Sequence, residues 1–214
     1  MIIYSICVPL AMGCTSSSKD LNEDLSDSNE VALDEGLQSI ENRKLKAGIF
    51  DVIDKFPPPS LVPLMLEAPG KYNDDLRNSP KHVEKYFAHD YKAALNLGAY
   101  TADVGYLVSY NKMYDVGEYL LALRELADEL NITTAFDIEV MRKVENHMDD
   151  RVYILIMIDD EYRGVNKFLR SVYRPREAVM VVSGAIIEGL YISTYFLQNY
   201  PEIEGLNELV DDQQ

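Results

Sequence analysis

The amino-acid sequence predicts an all-α protein, folded as a single bundle of six or seven helices. Apolar residues recur along most of the chain with the 3.6-residue period of a helix. Hydrophobic residues make up 47% of the 214-residue chain, so it can bury a core. Gly and Pro are few, at 11 and 9, which argues against a β fold with many turns.

The clearest amphipathic helix is predicted over residues 116–130. Asp115 is placed to cap its N-terminus, with Glu118 at the capping-box position, and Asn131 suits its C-terminal end. Its apolar stripe consists of Val116, Tyr119, Leu120, Leu123, Leu126, Ala127 and Leu130.

Four other segments show the same spacing and are also predicted as amphipathic helices. One spans 45–56 and ends before three consecutive prolines. A second is opened by Ser79 and Pro80, the residue types preferred at an N-cap and in the first turn. The others cover 136–148 and 155–172.

Two segments, 93–110 and 178–197, are apolar on nearly all sides. Such helices occupy either the centre of a bundle or a membrane. The second is long enough to span a bilayer, but Glu188 at its middle makes that costly. We therefore predict two central helices, at about 80–112 and 175–199, and keep a membrane span at 178–197 as the alternative. Gly98 and Gly105, seven residues apart and on nearly one face, could permit a close helix crossing, or a break near Gly98.

The N-terminus is predicted to be a targeting segment. Residues 1–13 form an uncharged apolar run that ends in small residues, typical of a cleaved signal peptide. Leu10–Cys14 resembles a bacterial lipobox, which implies that Cys14 carries the lipid, including palmitate, and becomes the mature N-terminus. Residues 14–36 are rich in Ser and acids and predict a flexible tether, followed by the helical domain at 37–214. The alternative is a buried N-terminal element with two inert cysteines.

The charge narrows the possible partners. With 36 acidic and 20 basic residues the formal net charge is −16, so nucleic-acid binding is not expected. The expected partners are the membrane, through the anchor on Cys14, and a small polar ligand or an envelope protein. The expected location is the cell envelope, at the outer membrane.

Acidic residues within apolar helices are the candidate ligand-binding residues. A buried carboxylate needs a partner or a proton, and a tyrosine lies about one turn from each acid. Lys92 and Arg163 are the expected cationic partners. In a structural interpretation these acids fix helix register; in a functional one they converge on a pocket that binds a cation or polar ligand. The candidates are Asp103, Tyr106, Asp159, Tyr162, Glu188 and Tyr191.

Common catalytic and metal-binding motifs are not found in the sequence. It contains no Gly-rich phosphate loop, HExxH, paired CxxC or GxSxG. His82, His89 and His147 do not form the Glu-x-x-His pairs of di-iron proteins, so neither a metal nor a cofactor is expected.

Three stretches, residues 95–112, 123–132 and 185–194, resemble a family of uncharacterised all-helical lipoproteins of Bacteroidetes-type bacteria. The likeness covers about residues 57–209 and implies a helical fold and an envelope location, with no catalytic residue to carry over. The sequence thus favours a non-enzymatic, lipid-anchored module that binds a ligand or partner or has a structural role. The alternative is an enzyme or metal-binding protein that uses the buried carboxylates and tyrosines.

Overall fold

The structure, a computed structural model, describes residues 44, 47–51, 53, 55, 71–132 and 138–200. The chain divides into two units, Met1–Leu45 and Lys46–Gln214. Only Lys44, which is helical, is described in the first unit. The predicted signal peptide at 1–13, Cys14 and the tether at 14–36 lie outside the described residues.

The prediction of an all-α bundle is confirmed. In the described part of Lys46–Gln214 there are helices and no strands. The described residues at 47–51 and 53 are helical, as predicted for 45–56. Two short 3-10 helices span Asp74–Leu76 and Pro80–Tyr86. The longer helices are α1 (Asp90–Ser109), α2 (Met113–Glu129), α3 (Ile138–Asn146), α4 (Arg151–Ser171) and α5 (Pro175–Asn199).

Local residue chemistry sets the ends of these helices. Asn131 adopts a positive φ of 56° directly after α2, and the amides of Asn131 and Ile132 donate to the carbonyls of Asp128 and Ala127. This is a Schellman C-cap, so the prediction that Asn131 suits the helix end is confirmed. At the other end of a helix, the Asp150 carboxylate caps α4 by accepting from the Tyr153 amide.

The starts of the first central helix and of α2 differ from the prediction. The first central helix, predicted from about 80, begins at Asp90, because Ser79 and Pro80 open the separate 3-10 helix instead. His89, just before α1, is extended and breaks the continuity. Helix α2 begins at Met113, so Asp115 lies in its first turn, where it favours the helix dipole, and does not cap it.

Helices α1 and α5 make the closest contact in the bundle, called the α1–α5 seam below. A Cβ at Gly98 would overlap the backbone carbonyl of Val181, and a Cβ at Gly184 would overlap that of Leu95. The two backbones therefore touch where both helices lack a side chain. The close crossing suggested by Gly98 in the sequence is confirmed.

Burial in α5 follows one side of the helix. Ala178, Val181, Ala185, Ile192 and Phe196 are buried, whereas Ile187 and Tyr191 on the other side are exposed. By length and composition α5 could cross a membrane, with a mean hydropathy of 1.5 in its most apolar window and 44% of that window buried in the protein. Its buried side packs on α1, as expected of a bundle helix.

Candidate functional site

The segment Asn73–Ser79, called the strap below, is hydrogen-bonded to α1 and α2 at four points. Tyr106 donates to the carbonyl of the first strap residue at 3.1 Å and accepts from its amide at 2.9 Å. Tyr100 donates to the carbonyl of the last strap residue at 2.8 Å. Tyr119 on α2 donates to the carbonyl of Asn78. Three buried tyrosines thus satisfy a segment whose own 3-10 helix is only three residues long.

Asp103 supplies the remaining connection to the strap. Its side chain is fully buried, and Oδ2 accepts from both the backbone amide and the side-chain Nδ2 of Asn78, each at 3.1 Å. Oδ1 has no hydrogen-bond partner within the described part. Burial raises the pKa of Asp103 well above its usual range, Glu188 raises it further, and Asn78 and Arg77 oppose the shift.

Glu188 approaches the same amide from the facing helix. It is half-buried on α5, and burial raises its pKa, while a polar contact from the Asn78 side chain lowers it. Asp103 and Glu188, two of the predicted site residues, therefore meet around Asn78. No group of three or more His, Cys, Asp or Glu suited to hold a metal ion occurs among the described residues.

The other predicted site residues lie elsewhere or have other partners. Asp159 is half-buried on α4 and raises the pKa of the buried Tyr162, after the larger effect of burial. Tyr191 is 51% exposed. Tyr106 bonds to the strap, so the expected phenol–carboxylate pair with Asp103 is wrong. The expected cationic partners are also wrong for Asp103: Lys92 and Arg163 are exposed, and the guanidinium near it belongs to Arg77.

The geometry around Asp103 is that of a structural clamp. One carboxylate oxygen takes two donors from a single strap residue, and the surrounding hydroxyls hold the strap backbone. Arg77 completes the arrangement from the strap, since its Nη1 donates to Tyr119 Oη at 3.3 Å and its Nε pairs with Asp74 at 2.6 Å. These contacts order the strap on α1 and α2 and favour the structural interpretation of Asp103.

A second candidate site lies between α2 and α3. It is a groove of about 430 Å³, open to solvent and called the α2–α3 groove below. Tyr114 and Leu121 on its α2 side are 82% and 52% exposed. The lining residues are Met113, Tyr114, Gly117, Glu118, Leu120, Leu121, Met141, Val144, Glu145 and Met148.

The lining combines flexible apolar side chains with two acids. Methionine thioethers adapt to different apolar shapes, which suits a binding surface. Glu118 and Glu145 are the charged residues of the lining, and both are exposed. Neither forms an ion pair or hydrogen bond with another residue in the described ranges. The groove therefore offers apolar contact area beside two uncompensated negative charges.

The α2–α3 groove was not predicted from the sequence, although one signal was present. Beside the buried stripe of α2, Tyr114, Gly117 and Leu121 follow at i, i+3 and i+7, and so form a second, weaker apolar stripe. Such a stripe widens the apolar face beyond what one neighbouring helix covers. Tyr114 and Leu121 on this stripe are exposed.

Comparisons of this chain with protein-family models, with curated proteins and with solved structures find no match.

Proposed function

We propose that this protein is a non-enzymatic binding module of the cell envelope, anchored at the outer membrane by lipid on Cys14, and that it holds an apolar segment of a partner protein in the α2–α3 groove. The observation that carries the proposal is the groove itself. Exposed Leu121 and Tyr114 stand beside Met113, Met141 and other adaptable side chains. Exposed apolar surfaces of this kind mark protein or membrane interaction sites and ligand-binding grooves.

The anchoring part of the proposal is supported by the sequence. The lipobox-like Leu10–Cys14 follows an apolar run, and the acidic tether after it gives a folded domain reach from the membrane. The resemblance to helical lipoproteins of Bacteroidetes-type bacteria supports the same location. A lipid anchor leaves the domain itself exposed to water, where the groove can meet a partner.

Binding in the groove is tested with an environment-sensitive apolar dye. The dye should fluoresce with the wild-type protein and lose most of its bound signal in Leu121→Glu. Ile187→Glu is the matched control, because Ile187 is a comparably exposed apolar residue on α5, at 61% against 52% for Leu121. Equal loss of signal in both variants, or no loss in either, contradicts the proposal.

Anchoring is tested by metabolic labelling with an alkyne fatty acid in a bacterium that has lipoprotein maturation. Label should be found in the wild-type chain and in Cys7→Ser, and should disappear in Cys14→Ser. Label that persists in Cys14→Ser, or that never appears, would refute the anchor and leave the groove to be judged separately.

A further inference from the structure

We propose that the segment received by the α2–α3 groove is a basic amphipathic helix, with Leu-type residues facing the groove and Lys or Arg beside Glu118 and Glu145. This inference rests on the proposed function and adds the conformation and charge of the partner.

The conformation follows from how an occupant's backbone is satisfied. An extended peptide gains most of its affinity by pairing with an exposed sheet edge. The described residues contain no strand, so an extended segment in this groove would gain no backbone hydrogen bonds from a sheet edge and would leave its amides and carbonyls to water. A helix satisfies these groups internally and offers one apolar face to a hydrophobic groove.

The dimensions of the groove suit a short stretch of helix. Its lining residues run from Met113 to Leu121 on α2, and from Met141 on α3 to Met148 in the turn after α3. Eight residues of helix rise about 12 Å, so an occupant lying along the groove contacts it over roughly two turns. Apolar residues at i, i+3, i+4 and i+7 fill that length.

The expected positive charge of the partner segment follows from the acids of the groove lining and from the net charge of the whole chain. The lining contains two acids and no Lys, Arg or His. Because Glu118 and Glu145 form no ion pair or hydrogen bond within the described ranges, a cationic partner need not displace an existing contact. The net charge of −16 attracts a basic segment from a distance and repels a second copy of this chain.

The test uses the full chain and two synthetic helical peptides of about 18 residues, long enough to be helical when bound. Both peptides carry the same leucine face, and the polar face is lysine in one and glutamate in the other. We expect the lysine peptide to bind at least about tenfold more tightly at low salt, with the difference shrinking as salt is added.

Two double variants distinguish the effect of the two groove acids from that of the net charge of the chain. Glu118→Gln combined with Glu145→Gln should weaken binding of the lysine peptide about tenfold at low salt, because both exposed ion pairs with the peptide are lost. Asp51→Asn combined with Asp160→Asn is the matched control. It removes the same charge from exposed positions outside the groove and should leave affinity within about twofold.

Equal affinity for both peptides, or equal loss in the two double variants, overturns the inference and leaves the proposed function intact. If neither peptide binds but the apolar dye still depends on Leu121, the occupant is not a helix and the inference is again wrong. If the dye does not bind either, the proposed function itself fails. A mass that doubles with concentration and returns to the monomer in Leu121→Glu identifies a second copy as the occupant and also overturns the inference.

Discussion

Two helix pairs of this bundle differ in the space around their glycines. In the α1–α5 seam, Gly98 and Gly184 each face the backbone of the other helix, and no space remains for a methyl group. In the α2–α3 groove, a Cβ at Gly117 meets no atom within 4 Å. The helices of the α1–α5 seam are therefore in backbone contact, whereas open space remains between α2 and α3. We infer that the first pair provides stability and the second provides binding.

The largest expected effect concerns the α1–α5 seam. Gly98→Ala and Gly184→Ala should each lower the free energy of unfolding by about 3 kcal/mol or more, because a methyl group placed against rigid backbone forces the helices apart. Chemical denaturation followed by circular dichroism measures this. Gly164→Ala, at a helical position with open space, is the control and should be neutral or stabilising. Equal stability of Gly98→Ala and Gly164→Ala would disprove backbone contact at the seam.

The next effect concerns Asp103, which clamps the strap to α1. Asp103→Leu leaves the two donors of Asn78 unpaired and should cost about 1–3 kcal/mol of unfolding free energy. Asp103→Asn keeps an acceptor oxygen for those donors and removes a poorly solvated charge, so at pH 8 it should be at least as stable as wild type. If Asp103→Leu is as stable as Asp103→Asn, the clamp contributes nothing.

The same carboxylates predict a pH dependence. The folded-state pKa values of Asp103 and Glu188 are raised above their usual 3.8 and 4.5. Folding therefore favours their protonated forms, and the stability they contribute at low pH is lost as the pH rises through the raised values. Thermal unfolding of wild type should gain more on acidification from pH 8 to pH 5 than that of the double variant Asp103→Asn, Glu188→Gln. Parallel curves would show that these groups do not titrate differently on folding.

A smaller effect is expected in the α2–α3 groove. Gly117→Ala should raise the free energy of unfolding by about 0.5–1 kcal/mol, because alanine is the better helix former and its methyl group projects into empty space. Denaturant unfolding beside Gly164→Ala measures it, and the two changes should have the same sign. A destabilised Gly117→Ala would mean that the groove is filled in solution.

The smallest effect concerns the exposed groove residue Leu121. Leu121→Glu should change stability by no more than about 0.5 kcal/mol, since the side chain is 52% exposed. Thermal unfolding checks this, and it allows the loss of dye binding to be attributed to the surface. A large loss of stability would show that Leu121 belongs to the core.

Much of the fold could be predicted from the sequence, because a helix's apolar period is a local property of the chain. The stripe of α2, the capping role of Asn131 and the close approach at Gly98 were all legible in this way. The start of α1 was not. Ser79 and Pro80 carry the signal of a helix start whether an α-helix or a 3-10 helix follows, and only the extended backbone at His89 separates the two.

The candidate site was harder to predict, since it depends on which helices meet. Asp103 and Glu188 were identified as unusual from their apolar neighbours alone, but their shared contact, Asn78, belongs to a segment with no periodic signal. Tyr106 was expected to be the partner of Asp103 because it lies one turn away in the sequence. In the structure its hydroxyl donates to the Asn73 carbonyl instead. The second apolar stripe of α2 was visible in the sequence, but whether a neighbouring helix covers Leu121 depends on tertiary packing.

The open groove is tested most directly by filling it. The affinity of the lysine-faced helical peptide should be measured for Gly117→Leu and for Gly164→Leu, two substitutions at glycines with open space, of which the first lies in the groove lining. We expect Gly117→Leu to remain folded and to lose at least about tenfold in affinity, while Gly164→Leu binds like wild type. Unchanged binding to Gly117→Leu would show that the peptide does not bind in the α2–α3 groove.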